Sequence, residues 1–422
     1  MRSALAPVSA LLLSVAFLLM GNGLQSTLLP LRADFEVFTK FEIGVLGSAY
    51  YLGFAAGCLY GAHVIRRVGH IRTFTAVVAV ASAVALAHAL VLNPYAWWLL
   101  RALTGFCVAV LFMVIESWLN ERATNENRGL VFSVYAMINL TVISLGQLML
   151  TLDDPGDFPL FSIASILVSL AAVPVAMTKS QAPAPVATVR IRFRYLYGLS
   201  PVGFIGCLSV GMANGALWGL GPVFARTFGE STTLVALFMS VVVVSGALGQ
   251  WPLGRLSDRL DRRRVIALGC GCAALAGLGL LLLPRLWDWS LLPLAAAYGF
   301  FALPVYALSV ANMNDFVAPD GFVEASSGLL LVFATGAATG PVLASLIIWL
   351  SDEASLFGFT ACVHLAMAAF ALYRRRRRER APEAERAVFA EAQVAAQTLS
   401  PIDLQPVEPS QDETGVEEPG SR

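Results

Sequence analysis

Long apolar stretches recur along most of the chain, and they restrict its fold more than any other feature. Residues 8–29, 74–92, 264–284 and 355–373 each supply the roughly 17–25 residues that a helix needs to cross a bilayer. Hydrophobic residues make up 57% of the chain and charged residues 13%, unlike a soluble globular domain. The pattern predicts an all-α polytopic membrane protein with twelve spans, at residues 8–30, 42–65, 71–92, 95–119, 128–152, 158–178, 200–224, 231–255, 264–284, 290–313, 322–350 and 355–373.

The first of these stretches has two interpretations, a retained helix or a cleaved signal peptide. The apolar region of a signal peptide is about 7–15 residues long, and this stretch is longer. It also carries Asn22 and Gln25 near its far end. We therefore expect a retained first helix.

A short phrase occurs twice, as NGLQSTLLP from Asn22 to Pro30 and as NGALWGLGP from Asn214 to Pro222, 192 residues later. A period near half the chain is too long for a solenoid unit and indicates two copies of one domain. We expect a six-helix bundle over residues 1–178 and a second, pseudo-repeated bundle over residues 199–373. Glycines at similar shifts support this pairing, at Gly57 with Gly249, Gly105 with Gly299, and Gly146 with Gly340.

Two segments lie outside the predicted bundles. Residues 179–198 are rich in Pro and Ala and then basic, which predicts a linker on the cytoplasmic surface. Residues 374–422 are polar and predict a disordered cytoplasmic tail. Its first residues, RRRRRER, are either a site for anionic lipid head groups or a basic stop after the last helix, and we favour the stop.

The positions of Lys and Arg predict the orientation, because positively charged loops stay on the cytoplasmic side. With the N-terminus inside, the outer loops hold only Arg32, Lys40, Arg226 and Arg285 of the 28 Lys and Arg residues. Both termini are therefore predicted to be cytoplasmic. The strong bias toward Arg over Lys is typical of a GC-rich bacterial genome, which favours the bacterial inner (plasma) membrane.

Several kinds of site are missing from the sequence. Neither lysine, Lys40 nor Lys179, follows a glycine, so there is no phosphate-binding P-loop. The four histidines form no H-E-x-x-H pair, and the six cysteines have neither disulfide nor zinc spacing. The formal net charge of zero gives no case for a nucleic-acid partner. We predict no cofactor, no metal and no enzymatic activity.

A charged motif follows the eighth predicted span, as GRLSDRLDRRR from Gly254 to Arg264. Its acid, Asp258, can cap a neighbouring helix or pair with arginines. The motif resembles the loop signature G-x-L-a-D-R-x-G-R-R of the major facilitator superfamily, with Asp261 at the second glycine. The resemblance assigns a gating role to this loop and to its degraded first copy, AHVIRRVGHIR, at Gly254, Asp258, Arg259, Asp261, Arg262, Arg263, Arg66, Arg67 and Gly69.

A second signature lies in the fourth span, where RALTGFCVA matches R-x-x-q-G-x-g-a-a at Arg101, Gly105 and Ala109. The stretch ESWLNERATNENRG, from Glu116 to Gly129, resembles the YcaD-like branch of the same superfamily. The twelve spans, the repeat, the central linker and both signatures are similar to this superfamily over residues 1–373.

The resemblance implies a secondary active transporter in which two bundles rock about a site near the bilayer midplane. It implies a small-molecule solute, protons as a candidate coupling ion and a functional monomer in the lipid bilayer. Efflux of hydrophobic compounds and movement of a metabolite remain open. The alternative from another class is a receptor or sensor that binds a solute without accumulating it and signals through the tail.

Polar side chains inside a bilayer are costly, so they are candidates for the solute site. Arg101 is the strongest, since it lies about 9 Å from the middle of its span. Structural hydrogen bonding or packing is the competing interpretation for the others. The candidates in helices that line the cavity in this superfamily are Arg101, Asn22, Gln25, Tyr135, Asn139, Asn214, Trp218 and Tyr306.

The central third of each predicted span contains no Asp or Glu. The nearest carboxylate is Glu116, at the inner end of the fourth span, and we expect it to be a gate partner of Arg66, Arg67 or Arg128. The cavity is then net positive through Arg101 and favours anionic or neutral polar solutes over cations.

Small residues at four-residue spacing allow close helix approach. The second span carries Gly53, Gly57 and Gly61, and the eleventh carries Gly336 and Gly340. In the superfamily these helices face each other across the boundary between the bundles. On that basis we expect Gly57→Leu to block rocking and leave folding largely intact.

Overall fold

The structure is a computed structural model, and it describes residues 8–122, 128–177, 191–229, 231–318 and 321–377. The predicted linker residues 179–190 and the tail residues 378–422 lie outside this range. Within it the chain forms helices, without strands. The long helices are α1 (Ser9–Phe35), α2 (Lys40–Val68), α3 (His70–Leu90), α4 (Pro94–Arg122), α5 (Arg128–Leu148), α6 (Pro159–Leu170 and Ala172–Ala176), α7 (Pro201–Arg226), α8 (Thr232–Arg259), α9 (Arg262–Leu282), α10 (Leu291–Ala302 and Val305–Asn314), α11 (Phe322–Leu350) and α12 (Ser355–Arg377). A short helix, Phe193–Leu199, precedes α7 in the segment predicted to be a linker.

Twelve helices in the described part of the chain are long and apolar enough to cross a membrane, which confirms the predicted spans. A helix forms its backbone hydrogen bonds within its own segment, which is necessary because the hydrocarbon core contains no water to bond these groups. Several helices extend past the predicted ends. The last one continues to Arg377, so the first four residues assigned to a disordered tail, 374–377, are helical. The arginines there stabilise the negative end of the helix dipole and so favour helix. Hydropathy alone ends the span before them because they are charged.

The tenth span is interrupted, where the sequence pattern shows one apolar run. Its two segments meet at Leu303 and Pro304, between Ala302 and Val305. Proline has no N–H and clashes with the carbonyl four residues earlier, so it breaks the helical ladder. By contrast, Pro30 and Pro222 lie inside continuous helices, α1 and α7, which carry the two copies of the repeated phrase.

Each half of the chain packs around its own helix pairs, and further helix pairs join the halves. Helix α2 packs on α4 as its counterpart α8 packs on α10, and α1 packs on α5 as α7 packs on α11. Across the boundary, α2 contacts α11, and α5 contacts α8. One apolar core includes Leu24 and Leu28 of α1 together with Leu217 and Phe224 of α7. The two bundles are therefore in close contact at the end where α1 and α7 finish.

Helices α2 and α11 contact each other across the boundary, as expected, but their spaced glycines lie on other sides of the two helices. A Cβ on Gly57 would lie 2.6 Å from the Cβ of Ala109 and 2.8 Å from the carbonyl of Phe106, both in α4 of the same bundle. The three spaced glycines of α2 face α4, and the two of α11 face α7, at Gly53, Gly57, Gly61, Gly336 and Gly340. The position of α2 in the fold does not show which of its neighbours the glycines contact. Four-residue spacing indicates close packing against some helix, but it does not identify that helix.

Other glycines lie at the boundary itself. A Cβ on Gly47 of α2 would lie 3.1 Å from the Cα of Gly219 in α7 and 3.4 Å from Pro341 in α11. A Cβ on Gly44, one turn away, would lie 2.5 Å from the hydroxyl of Ser345 in α11. These residues allow the two bundles to touch through their backbones.

We now expect Gly57→Leu to destabilise the protein, because the side chain would separate α2 from α4. The control is Gly271→Leu in α9, where an added Cβ meets no atom within 4 Å. In detergent, the first variant should lower the unfolding temperature by several degrees, since overpacking costs about 1–3 kcal/mol. Equal stability of the two variants would contradict the packing.

Candidate functional site

A cavity of about 240 Å³ lies between the two bundles. Helices α1, α2, α4 and α5 line it from one bundle, and α7 and α11 from the other. Most of its wall is apolar, and its polar groups are few, as is usual for small-molecule sites. The lining residues are Asn22, Gly23, Ser26, Pro30, Leu46, Gly47, Tyr50, Tyr51, Phe54, Arg101, Ile143, Trp218, Gly219, Leu330 and Phe333.

Arg101 is the charged residue of this lining. Its side chain is only 7% exposed, and its Nη1 group has no hydrogen-bond partner among the described residues. The guanidinium lies over the ring of Tyr50, with its Cζ 4.4 Å from the ring centroid. A cation–π contact offsets part of the cost of burial but forms no hydrogen bond to the guanidinium N–H groups. Arg101 therefore presents an unsatisfied positive charge to the cavity.

The contact between Arg101 and Tyr50 depends on a glycine. A Cβ on Gly105, one turn further along α4, would collide with the backbone carbonyl of Tyr50. A Cβ on Gly53 would likewise collide with the carbonyl of Ala102. These two glycines let α2 and α4 approach through their backbones. The arginine and glycine of the RALTGFCVA signature thus serve one local arrangement.

Aromatic rings form much of the remaining wall. Tyr50 stacks on Phe54, with ring centroids 6.3 Å apart and an interplanar angle of 26°. Tyr51 meets Phe333 of the opposite bundle edge to face, with ring centroids 6.4 Å apart. Trp218 of α7 lines the same cavity. The rings come from both bundles, so relative movement of the bundles changes the shape of the site.

Three of the eight residues predicted to bind solute line this cavity, namely Asn22, Arg101 and Trp218. Tyr306 lies behind the wall, against Phe333 at a centroid distance of 4.8 Å. The others, Gln25, Tyr135, Asn139 and Asn214, do not line it. Gln25 is three residues from Asn22 on α1, but Ser26, four residues from Asn22, is the neighbour that lines the cavity.

The aromatic residues of α2 and α11 in the cavity wall were not among the residues predicted from the sequence. Phe54 and Phe333 are apolar residues in apolar helices, so nothing in the sequence distinguishes them from packing residues. Tyr50 and Tyr51 carried a usable signal, because adjacent tyrosines in the middle of a span are costly to place in lipid.

Tyr135 belongs to a second buried cluster, near the other end of α4. Its hydroxyl donates a hydrogen bond to Glu116 Oε1 at 3.2 Å, and both residues are 1% exposed. Asn139 lies beside the same tyrosine. Along α4, Glu116 is about 22 Å from Arg101, so the two clusters are separate. The predicted gate between Glu116 and the arginines of the first loop stays a prediction, and the side chain of Arg128 lies outside the described residues.

The charged motif after α8 forms a compact network at the end of the second bundle. Arg262 is 2% exposed and donates to both carboxylate oxygens of Asp315 in the loop after α10, at 3.1 and 2.9 Å. Asp258 lies 3.5 Å from the same guanidinium. Asp261, which departs from the superfamily signature, caps α9 by accepting a hydrogen bond from the N–H of Arg263 at 3.0 Å.

The first copy of the motif, between α2 and α3, keeps a glycine at the turn. Gly69 separates α2 from α3 with a φ of +92°, a conformation that favours glycine. Arg66 and Arg67 lie in the last turn of α2.

In the described part of the chain, no group of three His, Cys, Asp or Glu side chains is placed to hold a metal ion.

A sequence model of the Major Facilitator Superfamily matches residues 11–320 and 203–407 of this chain. The chain belongs to the major facilitator superfamily. It is similar to proteins named "Uncharacterized MFS-type transporter YcaD". The Escherichia fergusonii protein is 26% identical over 359 residues, which cover 85% of this chain and 93% of the relative. A protein from Escherichia coli O17:K52:H18 shows the same identity and coverage. The resemblance to the YcaD-like branch is confirmed.

Solved structures of the major facilitator superfamily share this fold at 14% sequence identity. The nucleoside transporter NupG superposes with a TM-score of 0.73, covering 86% of this chain and 98% of NupG. A bacterial homologue of the lysosomal transporter Spinster, inward-facing and occupied, gives 0.70, covering 90% and 97%. The Escherichia coli fucose:proton symporter FucP gives 0.56, covering 88% and 99%. By its family and its twelve helices of membrane-crossing length in the described residues, the protein is a multi-pass membrane transporter and not an enzyme.

The unsatisfied state of Arg101 predicts a specific effect on stability. Arg101→Met should leave the unfolding temperature of the solute-free protein unchanged or raise it, because a buried charge without a hydrogen-bonded partner is costly. The control, Arg262→Met, should lower it by several degrees, since Asp315 would lose its partner at a cost of about 3–5 kcal/mol. A large loss of stability in Arg101→Met would assign that residue a structural role instead.

Proposed function

We propose that this protein is a secondary active transporter that moves a small anionic or neutral polar solute by alternating access. The observation that carries the proposal is the buried, unsatisfied Arg101 in a cavity lined by both bundles. The positive charge disfavours cations and stabilises anions, and neutral polar solutes can accept hydrogen bonds from it. A site at the boundary opens to one side of the membrane when the bundles separate at that end, and to the other side when they separate at the opposite end.

Ion pairs between the two bundles support a closed gate at one end of the cavity. Asp34, at the end of α1, pairs with Arg226, at the end of α7. Lys40, at the start of α2, lies 2.6 Å from Asp34 and 3.3 Å from Glu353 of the other bundle. Pro30 lines the cavity one turn before Asp34. In this proposal the charged layer seals the cavity from the side where α1 ends.

The gate follows from the repeat of the sequence. Asp34 and Arg226 are 192 residues apart, the same shift that relates the two copies of the repeated phrase. Equivalent positions of the two bundles meet at the boundary, and opposite charges there attract each other. The pairs are partly exposed, with Asp34 15% and Arg226 33% accessible, so each contributes little enough to break during transport.

Protons are the coupling ion in this proposal. Glu116 is buried and accepts a hydrogen bond from Tyr135, and a carboxyl group in such a place can take up and release a proton. The proposal also includes function as a monomer in the bacterial inner membrane, with both termini cytoplasmic. A receptor that binds without accumulating solute is less well supported, because the named relatives are transporters.

The gate predicts a change in accessibility. Asp34→Asn removes both ion pairs of Asp34 and should expose the cavity from the side where α1 ends. A cysteine at Ser26 should then react roughly fivefold faster with a membrane-impermeant maleimide added from that side. The parent without the Ser26 substitution gives the background of the native cysteines.

The control for the gate is Arg285→Gln, which breaks the exposed pair of Arg285 with Asp352 at the same end of the molecule but not between the bundles. Its labelling rate should equal that of the Ser26→Cys protein alone. Labelling that is the same with and without Asp34→Asn would contradict a gate at this end.

The charge preference is tested with solutes of equal chain length, namely valerate, valeramide and pentylammonium. We expect valerate to raise the unfolding temperature most and pentylammonium least, because of the charge of Arg101. A ligand at about 100 times its dissociation constant adds roughly 2.7 kcal/mol, which is measurable. In Arg101→Ala the order should disappear. Transport of a lipophilic cation that is unchanged in Arg101→Ala would contradict the proposed site.

A further inference from the structure

We propose that the solute of this cavity is an aromatic monoanion, a single planar ring that carries one carboxylate or an equivalent anionic group. The inference rests on the proposed transport function, because it assigns the substrate class of the same site. Three properties of the cavity lead to it, which are the number of its charges, the missing hydrogen-bond partner of its arginine and the nature of its walls.

The number of charges predicts a monoanion. Among the described residues that line the cavity, Arg101 is the single charged side chain, without an Asp, Glu, His or Lys beside it. One negative charge on the solute would neutralise it. A dianion would leave one charge unpaired in a largely apolar cavity, and a cation would add a second positive charge. Both are disfavoured relative to a monoanion.

The position of the guanidinium predicts a planar anionic group. Tyr50 covers one face of Arg101, with the Cζ 4.4 Å from the ring centroid. A ring over the face of a guanidinium does not occupy the N–H groups at its edge, and the buried Nη1 group of Arg101 has no hydrogen-bond partner among the described residues. A carboxylate can accept two parallel hydrogen bonds from this edge, a geometry that an alcohol or an amide does not match.

The walls predict an aromatic ring on the solute. Five lining residues carry rings, and they face the cavity from both bundles, at Tyr50, Tyr51, Phe54, Trp218 and Phe333. Aromatic rings prefer stacked or edge-to-face contacts with other rings, and these add to the burial of apolar area. A saturated ring of the same size would gain the burial alone. A volume of about 240 Å³ holds one such ring with its anionic group.

The placement of Trp218 suggests how binding is coupled to movement. Arg101 belongs to the first bundle, and Trp218 belongs to the second. A solute that bonds its carboxylate to Arg101 and packs its ring on Trp218 would contact both bundles at once. Changes to the carboxylate therefore test the contact with the first bundle, and changes to the ring test the contact with the second.

The test uses the purified full-length protein and two acids of equal charge and similar size, benzoate and cyclohexanecarboxylate. We expect benzoate to bind roughly fivefold more tightly, the difference that ring contacts provide. Benzamide, benzylammonium and phthalate, which keep the ring and change the charge, should all bind more weakly than benzoate. Calorimetry or thermal shift measures each affinity.

Two variants separate the ring from the charge. Trp218→Leu should reduce the preference for benzoate over cyclohexanecarboxylate, and Trp218→Phe should largely keep it. Trp349→Leu is the matched control, since Trp349 is 76% exposed and distant from the lining, and it should leave the preference unchanged. Arg101→Gln should weaken both acids at least tenfold and remove the difference between benzoate and benzamide.

The outcomes distinguish this inference from the transport function. Equal affinity for benzoate and cyclohexanecarboxylate, or no binding of either, would overturn the inference, and the charge series and the gate would still test transport. Uptake is measured with benzenesulfonate, a permanently ionised aromatic anion that does not cross the bilayer unaided. Ring-dependent binding with Trp218-dependent uptake into proteoliposomes would support both. Ring-dependent binding without uptake would support the ligand class and contradict transport.

Discussion

The hydrocarbon core of a bilayer offers no hydrogen bonds to a polypeptide backbone, so each crossing segment must satisfy its own N–H and C=O groups. This constraint explains why the described chain is helical throughout its spans. It also explains where regularity is lost. The break in α10 at Leu303 and Pro304 lies where Pro304 is buried in protein, and the turn at Gly69 lies between helix ends.

Lipid does not push apolar helices together, so the helices of this protein associate by close packing of small residues. Gly53 and Gly105 bring α2 and α4 into backbone contact, and Gly336 and Gly340 do the same for α11 and α7. In the first bundle this packing has a chemical result, because it places Tyr50 against Arg101. The packing of α2 on α4 therefore also determines which side chains meet in the cavity, and a glycine substitution would disturb both.

The three buried arginines of the described chain show how the same residue serves different purposes. Arg262 is bonded to Asp315, and Arg263 is bonded to Asp261, so their charges are compensated within the protein. Arg101 has an aromatic contact but an unsatisfied Nη1 group. Stability alone does not favour such a residue. In the proposed mechanism a solute provides the missing partner, which compensates the cost of burial, and the ion pairs of Asp34 close the cavity.

The sequence by itself determined the twelve spans, the half-length repeat and the superfamily, because hydropathy, period and short motifs are properties of neighbouring residues along the chain. It also identified Arg101 and Asn22, since a charge or an amide in a span is visible without a structure. Only the tertiary structure decided which side of α2 carries Gly57, that Tyr50 and Phe333 line the cavity and that Tyr135 does not, and that Asp34 meets Arg226. These facts depend on how each helix is rotated toward its neighbours. Packing between residues far apart in the chain sets that rotation, and a hydropathy pattern that is apolar on all sides of a helix does not encode it.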